Sequence, residues 1–73
     1  MSFSTALTHL KLNGHITRKG WNGKGMYLYR YDFTDLDGPN FEPCIVMVTA
    51  QGKHQPGWLA SQADMLAEDW ILL

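Results

Sequence analysis

The sequence predicts an α+β domain: a small, mostly antiparallel sheet with an N-terminal helix and a short C-terminal helix. Three observations predict it. Phe3, Leu7 and Leu10 recur at helical spacing. Two later stretches read as strands, the alternating Tyr27-to-Phe33 segment and the continuous apolar, β-branched run Cys44 to Thr49. A capping-box pattern, Ser61 with Asp64 three residues on, opens a second helix.

Each element has its own signals. Ser2 caps a helix starting at Phe3, Ala6 fills the apolar face, and Asn13-Gly14 stops the helix after about three turns. His9 and Lys11 are expected on its exposed side. His15 to Arg18 reads as a short strand, apolar only at Ile16. Gly25 to Phe33 reads as a longer strand. Tyr27, Tyr29, Tyr31 and Phe33 share one face, either a core or interface ladder or a ligand wall; Met26, Leu28, Arg30 and Asp32 share the other. Thr34 to Pro43 is a loop rich in turn formers, and the acidic cluster Asp32, Asp35 and Asp37 lacks the alternation and closing glutamate of a calcium loop. Cys44 to Thr49 is expected to be the central strand, covered on both faces, with Cys44 an inert buried thiol. Gln51-Gly52 marks a hairpin turn. His54 to Leu59 returns as an edge strand interrupted by Pro56-Gly57. In the second helix Met65 and Leu66 are expected to bury, and Asp69 to Leu73 closes the chain as a strand.

Length allows one domain over residues 1–73. A chain this short buries only about 60% of its unfolded surface, so small domains commonly add a disulfide, a metal or a partner subunit. Cys44 is the single cysteine, which excludes an intrachain disulfide and suits a reducing compartment. His9, His15 and His54 are scattered without ligand spacing, so no metal or other cofactor is expected. Self-association remains, and an apolar fraction of 45% favours a homo-oligomer. The net charge of −1 argues against a duplex-DNA binder. No apolar run approaches the roughly 20 residues of a membrane span, and the start does not read as a signal peptide. The expected location is the cytosol.

Function concentrates in the stretch Arg18-Lys19-Gly20-Trp21-Asn22-Gly23-Lys24-Gly25-Met26-Tyr27. Four of the six cations, Arg18, Lys19, Lys24 and Arg30, lie in or just beyond it. Glycines allow close backbone approach, loop amides and cations hold anions, and an indole stacks on rings. The pattern describes a binding site for a flat, polar, anionic ligand and requires no chemistry on it. Trp21 serves as a stacking platform or as a plug on the core. Asn22 reads a base edge or caps a turn, and Arg18 and Lys24 meet phosphate or only solvent. Trp58 and Trp70 read as structural, with Trp58 the better ligand candidate. Ser61, Gln62 and Asp64 form a helix start, which also suits an anion, and Met26 and Met65 read as packing.

Two segments together, Arg18-x-Gly-Trp21-Asn22-Gly23-Lys24-Gly25-Met26 and Trp58-x-x-Ser61-Gln62-x-Asp64-Met65-Leu66-Ala67-x-Asp69-Trp70, resemble a family of small phage proteins. This is the second type of Thoeris anti-defence protein, and the resemblance covers about residues 2–72. It implies a nucleotide-sequestering sponge. Thoeris TIR-domain enzymes make a cyclic ADP-ribose isomer from NAD, and family members bind that messenger without cleaving it, so its effector stays off in the host cytosol. It further implies homotetramers with pockets at subunit interfaces, and cyclic dinucleotides as ligands of some members at a separate site. The candidate ligand-binding residues are Arg18, Trp21, Asn22, Gly23, Lys24, Met26, Tyr27, Trp58, Ser61, Gln62 and Asp64, with none catalytic. The chain departs from the family at Ala60, where proline is usual, and at Thr5, where an acid is common.

The ligand class agrees with the residues. Base stacking contributes about 1–3 kcal/mol and a charge-assisted hydrogen bond about 1.5–3 kcal/mol. Nanomolar capture needs about −12 kcal/mol after association costs, more than one loop supplies. Three alternatives belong to other classes. A single-strand nucleic-acid module would stack bases on the tyrosines beside Arg30. A phosphodiesterase degrading the messenger would need His15 or His54 as acid or base. A structural phage component would use the tyrosine face as its interface.

Overall fold

The computed structural model describes residues 1–33 and 40–73. It contains α1 (Phe3–Lys11), β1 (Ile16–Arg18), β2 (Tyr27–Tyr31), β3 (Cys44–Val48), β4 (His54–Pro56), α2 (Gln62–Leu66) and β5 (Trp70–Leu72). The strands form one sheet of five in the order β4-β3-β2-β1-β5, every neighbouring pair antiparallel. The α+β class is therefore as the sequence predicts. Most of the acidic loop expected over Thr34–Pro43, with Asp35 and Asp37, lies outside the described residues.

Local chemistry explains the boundaries. The Thr5 amide donates to Ser2 Oγ at 3.2 Å, capping α1. Thr5, at the position where an acid would complete a capping box, instead brings its hydroxyl within 3.1 Å of Ser2 Oγ. At the other end Asn13 takes φ 69°, the left-handed turn that ends the helix. The Gly52 amide donates to Thr49 O at 2.9 Å, and Gly52 takes φ 78° in the β3–β4 hairpin. After Pro56, the amides of Gly57 and Trp58 both donate to Ile45 O, a bulge that ends pairing of β4.

The core lies between the sheet and α1. Ala6 and Leu10 of α1 meet Ile16, Leu28 and Trp70, with Phe3, Leu7, Trp21, Ile45, Met47, Trp58 and Ala67 packed around them. An edge-to-face and tilted aromatic group joins Phe3, Trp21, Trp58 and Trp70, with centroids 5.1–6.4 Å apart.

Four expectations are corrected. The middle strand is β2, not Cys44–Val48, because β5 returns beside β1 and extends the sheet on that side. Cys44 is half-buried at the end of β3 opposite Tyr31, not fully buried. Met65 and Leu66 are 49% and 80% exposed; α2 is little more than one turn, and Asp64 occupies its inward side. His9 is half-buried, because its ring lies over Gly14, where an added Cβ would be 2.1 Å from Nε2. The tyrosines of β2 lie opposite α1's face of the sheet. There Val46 and Val48 are buried, Tyr27 and Tyr29 half-buried and Tyr31 exposed.

Candidate functional site

The glycine-rich segment is the connection from β1 to β2, and it frames an open groove of about 690 Å³. Thr17 and Arg18 of β1, Tyr27 of β2 and Leu73 after β5 contribute walls. The loop supplies Lys19, Trp21, Asn22, Gly23, Lys24, Gly25 and Met26.

Both ends of the loop are fastened. At its exit Thr17 Oγ1 donates to Met26 O at 2.6 Å. At its entrance Asp69, just before β5, accepts from Arg18 Nε at 2.9 Å through Oδ1 and from the Gly20 amide at 2.7 Å through Oδ2. The Lys19 amide donates to the Asp69 carbonyl at 3.1 Å. Between these anchors the loop stays close to the sheet because Gly23 has no side chain. A Cβ there would be 2.6 Å from Met26 Sδ and 2.7 Å from Ala50 Cβ. Gly25 takes φ 76°. Among the described residues the amides of Asn22, Gly23, Lys24 and Gly25 make no hydrogen bond within the chain.

Arg18 is held a second time. Its Nη1 donates to Asp64 Oδ1 at 2.9 Å, and Trp21 Nε1 donates to the same oxygen at 3.2 Å. Asp64 also closes the α2 capping box, with Oδ2 accepting the Ser61 amide at 3.1 Å and its own amide donating to Ser61 Oγ at 3.0 Å. Burial pushes the Asp64 carboxyl up, but the bonds from Arg18, Ser61 and Trp21 together outweigh it and hold the group below its ordinary 3.8. Asp69 is held down too, chiefly by Arg18, and Arg18 is pushed up by Asp69 and then Asp64. Two carboxylates thus surround one guanidinium. The cations of the groove that carry no such pair among the described residues are Lys19 and Lys24.

Of the residues singled out by sequence, Arg18, Trp21, Asn22, Gly23, Lys24, Met26 and Tyr27 come together on the groove. Trp58, Ser61, Gln62 and Asp64 do not line it. Trp58 packs against Phe3, Trp21 and Trp70. Ser61 and Gln62 are exposed at the start of α2, and Asp64 is buried behind Arg18. The half-buried Trp21 ring packs edge-on to Trp70 at 5.5 Å, as a plug on the core would, and the residue also lines the groove. Sequence reasoning left Thr17, Lys19, Asp69 and Leu73 unassigned. Lys19 was visible in the cluster of cations; the others join through strand pairing, which no local pattern reports.

A second surface lies on the far face of the sheet. His15 stacks on Tyr27 with centroids 4.7 Å apart, and Tyr29 Oη is 2.7 Å from His54 Nδ1. Tyr29, Tyr31, Phe33, Val46, His54 and Pro56 line an apolar hollow of about 210 Å³. Burial pushes the Tyr29 phenol up, and Tyr27 and Tyr31 add to it. Among the described residues no group of three His, Cys, Asp or Glu is placed to hold a metal, and no helix is long and apolar enough to cross a membrane.

A family model, the Thoeris anti-defense 2-like domain, matches residues 1–73. The chain belongs to that family. It is also similar to Thoeris anti-defense 2 of Bacillus phage SP01, at 38% identity over 85 aligned positions that cover 100% of this chain and 94% of the relative. The family is named for opposing the Thoeris defence. Both quoted segments of this member, the loop from Arg18 and the stretch from Trp58, fall within that match. Arg18, Trp21 and Asp64 are where they meet.

Proposed function

We propose that this protein is a phage anti-defence sponge. It binds a cyclic ADP-ribose-type immune messenger, leaves it uncleaved, and so keeps the Thoeris effector inactive in the host cytosol. The observation that carries this reading is the groove. Its volume of about 690 Å³ suits a small-molecule site, which is roughly 300–1,000 Å³. Tyr27 and Trp21 offer ring faces, Lys19 and Lys24 meet phosphate, and the amides of residues 22–25 have no partner among the described residues. Family membership supports the target.

The alternatives draw less support. A phosphodiesterase needs an acid or base at the ligand, and neither His15 nor His54 lines the groove. A single-strand binder needs cations beside the tyrosines, and Arg30 points to the other face, within 3.5 Å of Asn13 and 3.4 Å of Asp32. The exposed tyrosine face is better suited to self-association, and a homotetramer is the proposed assembly. Cyclic dinucleotides are the proposed second ligand class, at a site apart from the groove.

The test is sequestration and release. Purified protein is mixed with messenger made by a TIR-domain enzyme, filtered, and the filtrate assayed for effector activation before and after heating. Loss of activity that returns intact on heating is expected. Loss without return means cleavage, and no loss removes this ligand.

A further inference from the structure

Asp69 belongs to a segment that the sequence singles out, yet it is absent from the groove wall. Its position explains how the groove is kept in shape. One carboxylate spans two elements, taking Arg18 Nε at 2.9 Å and the Gly20 amide at 2.7 Å, while its carbonyl takes the Lys19 amide at 3.1 Å. Three consecutive residues at the loop entrance are therefore tied to one residue of the neighbouring strand connection. The contact is close enough that a Cβ on Gly20 would be 2.7 Å from Asp69 Oδ2. Arg18, bound by Asp69 and Asp64 together, is already neutralised, so its role at the groove is that of a strut.

We propose that Asp69 is a positioning residue for ligand capture: through Arg18 and Gly20 it holds the glycine-rich loop in the conformation that keeps the groove open. This rests on the sponge reading of the groove. A loop fixed before the ligand arrives loses little entropy on binding, so affinity depends on the anchor although the anchor touches no ligand. Charge-assisted bonds are roughly twice as strong as neutral ones; Asp69→Asn leaves one neutral acceptor oxygen in place of two charged ones, and Asp69→Ala leaves none.

The experiment uses the full chain with Asp69→Asn, Asp69→Ala, Gly20→Ala and Asp69→Ala/Gly20→Ala, and cyclised ADP-ribose from a TIR-domain enzyme as probe. Amide hydrogen exchange is read without ligand, and affinity by calorimetry. Asp69→Asn is expected to weaken binding roughly tenfold or more. It should also raise exchange at residues 19–21, whose amides are hydrogen-bonded at the loop entrance, while β2 and β3 keep wild-type protection. Gly20→Ala should weaken binding in the wild type and add little in the Asp69→Ala background, because the clash then has no partner. A merely structural residue would lower protection across β2 and β3 and give additive effects, which overturns the proposal. Normal affinity with a loosened loop overturns it as well. If the wild type ignores the probe while Asp69→Asn still loosens the loop, the ligand reading fails and Asp69 remains only the loop's anchor.

Discussion

At the scale of single residues, Asp64 shows how one side chain links the glycine-rich loop to the second helix. It caps α2, braces Arg18 and fixes the Trp21 indole, and it is almost fully buried. Its folded pKa is depressed, as is that of Asp69, so the stability each contributes is fully present above the ordinary 3.8 and is lost as pH falls through the folded values. The urea midpoint of the wild type is expected to drop steeply between about pH 5 and about pH 2, and that of Asp64→Asn less steeply. Trp21 gives the second residue-scale test. Trp21→Ala removes a groove wall and one edge-to-face partner of Trp70. Calorimetry should show nucleotide affinity reduced by about 1–3 kcal/mol, with circular dichroism still that of a folded chain. Retained affinity would show that the ring only closes the core.

Elements were unequally legible in the sequence. Both caps, the Asn13 stop, the Gly52 hairpin and the interruption of β4 at Pro56 were readable because each depends on residues a few positions apart. Register was not. Arg18 finds Asp64 and Asp69 across 46 and 51 residues, and only the antiparallel pairing of β1 with β5 brings them together. The inward side of α2 was misread for the same reason: a five-residue helix has too few positions for periodicity to mark a face, so Met65 and Leu66 looked like core. Predictions at this scale concern the two ends of the loop's support. Ser61→Ala should cost about 0.5–2 kcal/mol in chemical denaturation by uncapping α2. Gly23→Ala meets a methyl group, Ala50 Cβ, as well as the mobile end of Met26. That crowding should cost about 1–3 kcal/mol and show as chemical-shift changes centred on residues 21–26 and Ala50.

For the whole molecule, the asymmetry of the sheet is the main fact. One face carries α1 and the core; the other presents an apolar hollow with no element of this chain across it among the described residues. If copies associate through that face, Tyr31→Lys should shift sedimentation velocity profiles toward monomer, while the groove residues stay unaltered. An unchanged oligomer would move the interface elsewhere. The groove as a place was legible from composition, whereas its anchors and the split between Arg18 and the two lysines depended on tertiary pairing.

The hydrogen bonds at the sheet's two margins carry one more consequence. On the outer side of β5 the Trp70 amide donates to Met1 O at 3.1 Å, and the Met1 nitrogen donates to Trp70 O at the same distance. On the opposite margin β4 is three residues long and ends at Pro56, which has no amide to offer. Each margin thus offers only a short edge to a further strand, the route by which crowded chains stack into fibrils. On the proposed sponge reading each copy is used up by one messenger, so the protein has to accumulate in quantity, and margins of this kind favour a chain that stays dispersed as it does so.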